Sequence, residues 1–209
     1  MKEQYSNLDD YIADLQAELN DSPNCANHYY NLGMALLTKR DFSAAEEAFL
    51  AAVRNSPHLA EAYVQLGGIC LERGDLEGCL RYNQEATSCR AKFAVPWGNI
   101  GFVHLQLGDP KKAIPALRKA LKWEPKFVQA KTALATALYM LGEYDQAIEL
   151  NNEAVQQEPA FGPAWNNLAL AYFEKSEFAR AIECADRAKE LGFVVRPEFL
   201  AELAQHRLQ

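Results

Sequence analysis

The sequence repeats a pattern of residue types every 34 residues over most of its length. Alanine recurs at this interval, and so does a large aliphatic residue followed by a small one. The alanines are Ala52, Ala86, Ala120, Ala154 and Ala188, and the aliphatic–small pairs are Leu32-Gly33, Leu66-Gly67, Ile100-Gly101, Leu134-Ala135 and Leu168-Ala169. A pattern that returns without an insertion predicts a row of similar units, stacked because one unit alone cannot bury its apolar face.

Each 34-residue repeat is predicted to form two amphipathic helices joined by a short polar turn. Apolar residues return at helical spacing in both halves of a repeat, and polar turn sequences such as 72–75 and 107–110 separate the halves. Pro57, Pro125 and Pro159 stand where the second helix should end, because proline stops a helix. The small residue of each pair lets the two helices approach closely.

The repeated residues resemble the tetratricopeptide repeat, which has an aromatic residue, Leu-Gly, and then Ala, Phe, Ala and Pro at fixed offsets. The first repeat fits best, with Tyr29, Leu32, Gly33, Ala45, Phe49, Ala52 and Pro57. The resemblance implies an all-α fold, a right-handed superhelical α-solenoid of stacked antiparallel helix pairs. It implies an N-terminal capping helix in 1–25, five repeats at 26–59, 60–93, 94–127, 128–161 and 162–195, and a C-terminal capping helix in 196–209.

Two repeats depart from this family pattern. The second has Cys70, Cys79, Asn83 and Ala91 at patterned positions, and the fourth has Lys131 in place of the aromatic residue and Asn151 in place of Phe. The family fold is still implied throughout, and no catalytic role comes with it.

The chain shows no pattern that predicts catalysis or metal binding. It lacks a glycine-rich phosphate loop, a Gly-Xaa-Ser-Xaa-Gly sequence and a His-Glu-Xaa-Xaa-His sequence. Its five cysteines are odd in number and irregularly spaced, so we expect reduced thiols packed as small apolar groups. His104 is predicted to be a core histidine, with a titrating switch as the alternative. We therefore expect a non-enzymatic protein with no cofactor and no metal.

Charge and hydropathy limit the classes of partner and the cellular location that we expect. The formal net charge is −7, which argues against nucleic acid or an anionic membrane as the main partner. No apolar run approaches the ~18 residues of a membrane-spanning helix, so no membrane insertion is expected. The N-terminal sequence lacks the basic-then-apolar order of a signal peptide, and we expect a cytoplasmic protein.

The resemblance implies that the first helix of each repeat lines a concave groove that binds another protein. Residues at the exposed groove positions are the candidate site, and an extended peptide or an amphipathic helix is the expected ligand. The candidates are Tyr30, Asn31, Met34, Gln65, Asn99, Phe102, Thr136, Tyr139, Met140, Asn166, Asn167 and Leu170. The fifth, ninth and twelfth positions carry no lysine or arginine, so binding of acidic chaperone tails is not expected.

Side-chain amides recur at the sixth position of four repeats, at Asn31, Gln65, Asn99 and Asn167. A spaced row of amides pairs with the N–H and C=O groups of a peptide whatever its side chains are. The alternative is that these amides form only hydrogen bonds between helices of the chain itself. Both interpretations remain open from the sequence.

Charge is unevenly distributed, because the third repeat has a net charge of +4. Its basic residues are Lys111, Lys112, Arg118, Lys119, Lys122 and Lys126. We expect a solvated outer face partly neutralised by Glu143, Asp145, Glu149 and Glu153, with a docking site for an acidic protein as the alternative. The sequence thus predicts an adaptor or scaffold, and self-assembly into a homo-oligomer through the ends or the groove is the alternative function.

Overall fold

The computed structural model describes residues 7–207, and within that range all regular structure is α-helical. The helices are α1 (Leu8–Asp21), α2 (Ala26–Thr38), α3 (Phe42–Asn55), α4 (Ala60–Glu72), α5 (Leu76–Cys89), α6 (Ala94–Gln106), α7 (Pro110–Trp123), α8 (Val128–Met140), α9 (Tyr144–Gln157), α10 (Gly162–Glu174), α11 (Phe178–Glu190) and α12 (Pro197–Ala204). The predicted all-α class is confirmed.

The even-numbered helices α2 to α10 repeat at the interval that the sequence predicts. Each has 13 residues, and they begin at Ala26, Ala60, Ala94, Val128 and Gly162. Each is followed after a short turn by a second helix of 13 or 14 residues. The first helices begin 34 residues apart, while the division into five repeats and two capping helices stays a prediction.

Aspartates fix where three of the second helices begin. The Oδ1 atoms of Asp41, Asp75 and Asp109 accept hydrogen bonds from backbone N–H groups three residues later, at 3.1, 2.8 and 3.1 Å. Such caps satisfy an N–H group that has no partner inside the helix. The turn before Asp41 needs a left-handed residue, and Arg40 takes that conformation with φ of 62° where Gly74 supplies it in the next repeat.

The chain divides into two compact parts within α6, an N-terminal half up to Asn99 and a C-terminal half from Ile100. In the N-terminal half, Ile12 and Leu15 of α1 pack against Leu32 and Ala35 of α2. Phe49 of α3 lies in a different cluster with the side chains of α4. The apolar face of α1 therefore packs mainly on α2.

The C-terminal half has a core that runs from α8 to α12. Its buried members include Leu168 and Tyr172 of α10 and Phe199 and Leu203 of α12. Thus α12 shares a core with the last helix pair. Leu208, which falls within the predicted capping helix of 196–209, lies outside the described residues.

No helix within residues 7–207 combines the length and the apolar character needed to cross a membrane.

Candidate functional site

In the N-terminal half, two of the predicted residues lie beside a surface pocket. Asn31 is exposed and the Met34 side chain is 38% exposed. Both line a pocket of about 260 Å³ that Leu8 and Tyr11 of α1 complete. These two α1 residues are not among the predicted site residues. Their helical spacing was visible in the sequence, but their position beside α2 was not.

A second pocket, of about 380 Å³, lies farther along the same half. It is lined by Gln65 and Gly68 of α4, by Leu37 of α2, and by two charged residues, Arg40 and Glu72. The fifth, ninth and twelfth positions of the repeats carry no lysine or arginine. The left-handed turn nevertheless brings the Arg40 side chain to this pocket. A residue in a turn has no helical register, so the repeat pattern could not reveal it. Glu72 supplies the opposite charge in the same pocket.

Tyr30 and Gln65 interact, as neighbours on successive first helices should. Burial raises the pKa of the Tyr30 hydroxyl, the charge of Glu61 adds to this rise, and the hydrogen bond with Gln65 opposes it. The Tyr30 ring also contacts Phe49, with 5.7 Å between ring centroids. Tyr30 is therefore partly a core residue, and its hydroxyl is the part that is placed near the candidate site.

Asn99 forms a hydrogen bond within the chain. Its Nδ2 donates to Oδ1 of Asn83 at 2.9 Å, and Nδ2 of Asn83 donates to the carbonyl oxygen of Cys79 at 2.8 Å. Asn83 is completely buried. One N–H of Asn99 thus joins α6 to α5, which is the inter-helix role that the sequence left open for the amide row.

In the C-terminal half, Phe102 and Met140 expose the most apolar surface among the predicted residues. Phe102 is 40% exposed and Met140 is 45% exposed. Asn166 and Leu170 of α10 are half-buried. The Tyr139 hydroxyl donates to Oε1 of Glu174 at 3.0 Å. Burial and this bond raise the pKa of Tyr139 to about 12.

A chain of hydrogen bonds links Asn167 to the α8 backbone. Nδ2 of Asn167 donates to Oγ1 of Thr136 at 2.9 Å, and that hydroxyl donates to the carbonyl oxygen of Thr132 at 3.0 Å. The structure therefore brings Thr136 and Asn167, two predicted site residues, into direct contact. Within the described residues, the buried atoms Oγ1 of Thr132 and Oδ1 of Asn151 accept no hydrogen bond.

The basic residues of α7 are exposed to solvent, as expected for an outer face. The exposed ones are Lys111, Lys112, Arg118, Lys119 and Lys122. Two of the carboxylates that were expected to neutralise them are paired elsewhere: Asp145 pairs with Lys175 at 2.5 Å, and Glu153 pairs with Lys131 at 2.9 Å. Lys131 is only 8% exposed, so it occupies the aromatic position of its repeat as a buried cation with one carboxylate partner.

A further pocket, in the C-terminal half, contains none of the predicted residues. It measures about 470 Å³ and is lined by residues of the α10–α11 turn, the start of α11 and His206. The His206 ring stacks on Phe178 with 3.6 Å between centroids. No repeat position predicts this pocket, because the pocket depends on how the segment after α12 returns to α11.

Three of the five thiols are buried within the chain. Cys70, Cys79 and Cys184 are buried, and burial raises the pKa of Cys79 and of Cys184 to about 11. His104 is half-buried. Across residues 7–207, no three histidine, cysteine or carboxylate side chains are grouped closely enough to hold a metal ion.

Three family models describing tetratricopeptide repeats match the chain. One matches residues 12–60 and 30–89, the second matches 104–159 and the third matches 162–191. The chain is a tetratricopeptide repeat protein. No curated protein sequence matches this repeat protein significantly.

Solved structures show the same fold at low sequence identity. YrrB, described as a TPR protein with an unusual peptide-binding site, is 20% identical with a TM-score of 0.71, covering 92% of this chain and 96% of its own. MamA is 23% identical with a TM-score of 0.67, covering 77% and 94%. PilF of Pseudomonas aeruginosa is 16% identical with a TM-score of 0.75, covering 86% and 83%. The α-solenoid fold predicted for the repeat protein is confirmed.

Repeats of this family are in general non-enzymatic modules for protein–protein interaction. This general role agrees with the surface described above, which offers exposed apolar side chains and amides.

Proposed function

We propose that this repeat protein is an adaptor that binds a peptide or an amphipathic helix of a partner protein through the exposed faces of its first helices. The observation that carries the proposal is the exposure of three large apolar side chains on those helices. Met34, Phe102 and Met140 are 38%, 40% and 45% exposed. Large apolar groups of this kind act as anchors when a partner removes them from water.

The amides that remain closest to solvent support recognition of a peptide backbone. Asn31 is exposed beside Met34, so its amide can reach a ligand that covers the methionine. An amide offers two donors and one acceptor, and these match the N–H and C=O groups of an extended peptide. Asn99 and Asn167 each already donate one N–H to another residue of the chain. We therefore assign Asn31 the leading role in backbone recognition.

The experiment begins with the selection of 12-residue peptides from a displayed random library on the whole chain. Binding of a selected synthetic peptide is then measured by calorimetry. The test variant carries Met34→Ala, Phe102→Ala and Met140→Ala. Truncation of a buried anchor costs about 1 kcal/mol or more, so the triple variant should bind about 100-fold more weakly.

The matched control carries Lys111→Ala, Lys119→Ala and Lys122→Ala, which also shortens three long exposed side chains, but on α7. Its affinity should change little, and mainly in its salt dependence. If the lysine variant lost the peptide while the apolar variant kept it, the α7 face would be the binding surface instead. Light scattering during dilution tests the other function, because self-assembly through the same apolar residues would give oligomers that dissociate on dilution and in the apolar variant.

A further inference from the structure

Two pairs of asparagines occupy equivalent positions two repeats apart. The first pair is Asn83 and Asn99, the second is Asn151 and Asn167, and the residue numbers rise by 68 between them. The first member of each pair has the same local bond: Nδ2 of Asn83 donates to the carbonyl oxygen of Cys79 at 2.8 Å, and Nδ2 of Asn151 donates to that of Ala147 at 3.0 Å. Since both bonds reach back four residues, the two Oδ1 atoms point the same way from their helices.

The pairs differ in what the second asparagine does. Asn99 donates to Oδ1 of Asn83 and completes the first pair. Asn167 donates instead to Oγ1 of Thr136. The side chain of Asn151 is 1% exposed, and its Oδ1 accepts no hydrogen bond from any described residue. A buried acceptor without a donor costs free energy, so the second pair is left in an incomplete state.

The reason for the difference lies at one position of the repeat. Thr136 has a hydroxyl that accepts the amide, while the equivalent residue two repeats earlier is Gly68, which has no side chain. In the first pair the amide has no competing acceptor there. In the second pair the amide donates to Thr136 and not to Asn151, and Thr136 belongs to the candidate binding surface.

We propose that Asn167 has two alternative acceptors, and that a peptide N–H which takes the place of the amide on Thr136 moves the amide to Asn151. The inference rests on the proposed function, because it needs a peptide on the α8 and α10 faces. Thr136 still donates its hydroxyl hydrogen to the carbonyl oxygen of Thr132. Its oxygen then accepts from the ligand, and Asn167 satisfies the buried Oδ1. The bound state therefore contains the hydrogen bond from Asn167 to Asn151 as well as the one from the ligand to Thr136. A ligand without an N–H at that point forms neither of these two bonds.

Thr136 is therefore a specificity-determining residue, and Asn151 is a positioning residue that never touches the ligand. The ligand group that the site selects is a main-chain N–H. A proline or an N-methylated residue at the same place lacks this donor and should be rejected.

The first arm of the test needs no peptide. In a crystal structure of Thr136→Ala, Asn167 has lost its first acceptor, and its Nδ2 should lie within about 3.2 Å of Oδ1 of Asn151. The matched variant is Gly68→Thr in the first pair, where a side chain has open space around it. It should draw Asn99 away from Asn83. If Asn167 in Thr136→Ala stays away from Asn151, the exchange of acceptors is wrong.

The second arm uses a selected 12-residue peptide, with each backbone amide N-methylated in turn. One methylation should weaken binding to the natural chain about tenfold and have no further effect on binding to Thr136→Val. Asn151→Leu should weaken binding of the unmethylated peptide several-fold, although residue 151 is buried away from the ligand. If Thr136→Val still shows the full loss on methylation, or Asn151→Leu binds normally, the ligand-driven exchange is wrong. A failed peptide selection would overturn the proposed function, while the first arm would still test the two acceptors.

Discussion

The hairpins α2–α3 and α4–α5 of the N-terminal half fill the same inter-helix position with different side chains. In the first hairpin Phe49 is fully buried, and a Cβ atom on Gly33 would lie only 2.7 to 2.8 Å from its ring. In the second, Asn83 is fully buried next to Gly67. The phenyl ring needs only space, whereas the amide also needs the Cys79 carbonyl and the Asn99 amide. The apolar side chain needs no hydrogen-bond partner, whereas the polar one depends on a donor from the next helix.

The largest loss of stability is expected when the buried ring of the first hairpin is removed. Phe49→Ala should destabilise the fold by about 3–5 kcal/mol, because the removed ring leaves a cavity between α2, α3 and α4. Urea unfolding followed by circular dichroism measures this as a lower midpoint. The exposed Phe102→Ala is the matched control and should change the midpoint little. A change below about 1 kcal/mol for Phe49→Ala would show that the hairpin does not depend on this ring.

Replacing each buried asparagine by leucine separates the role of size from the role of hydrogen bonding. Asn83→Leu removes the acceptor of Asn99 and should cost about 1–3 kcal/mol. Asn151→Leu removes an amide whose oxygen has no partner, and should leave stability unchanged or raise it. The two variants make the same chemical change at equivalent positions, so each is the control of the other. Equal losses in urea unfolding would mean that the hydrogen bonds make no difference.

The sequence predicted the helix pairs well because their causes are local and repeated. Small residues indicate where two helices approach closely, as Gly33 does opposite Phe49 and Gly101 does opposite Leu117. Aspartates and glycines in the turns indicate where helices begin and end. The 34-residue interval then places all first helices correctly, since an error at one repeat would break the register of the next.

The candidate site was less predictable because its features depend on choices between competing partners. Asn167 has two possible acceptors, and only the geometry shows that it donates to Thr136. Arg40 reaches its pocket from a turn that no helical register describes. Asp145 pairs with Lys175 of the following repeat, 30 residues away, rather than with a lysine of α7. A repeat pattern states which residue types recur, but not which of two reachable partners a long side chain takes.

Gly67 and Gly68 of α4 have different surroundings, and replacing each by alanine should change stability less than the variants above. A Cβ atom on Gly67 would overlap Nδ2 of Asn83, while one on Gly68 would meet nothing within 4 Å. Gly67→Ala should cost about 1–3 kcal/mol from overpacking, offset by about 1 kcal/mol of helix propensity. The net loss should be about 1 kcal/mol, since Ala135 is tolerated beside Asn151. Gly68→Ala should instead stabilise α4 by about 0.5–1 kcal/mol. If both shifted the urea midpoint in the same direction, the close approach at Gly67 would be wrong.

The smallest effect is expected where the repeats are joined only by surface charge. Asp145 is 85% exposed and pairs with Lys175, whose ammonium also lies 3.3 Å from Glu177. The hydrogen bond that Lys175 donates to Asp145 and, second, the one that it donates to Glu177 raise the pKa of Lys175. The stabilisation that accompanies a raised lysine pKa is complete below the ordinary value near 10.5 and is lost above it, so it is constant around neutral pH. Asp145→Asn should therefore lower the urea midpoint only slightly at pH 7, because solvent screens exposed pairs. High salt should remove even this difference. A shift comparable to that of Asn83→Leu would mean that surface charge, rather than the buried position between the helices, holds successive repeats together.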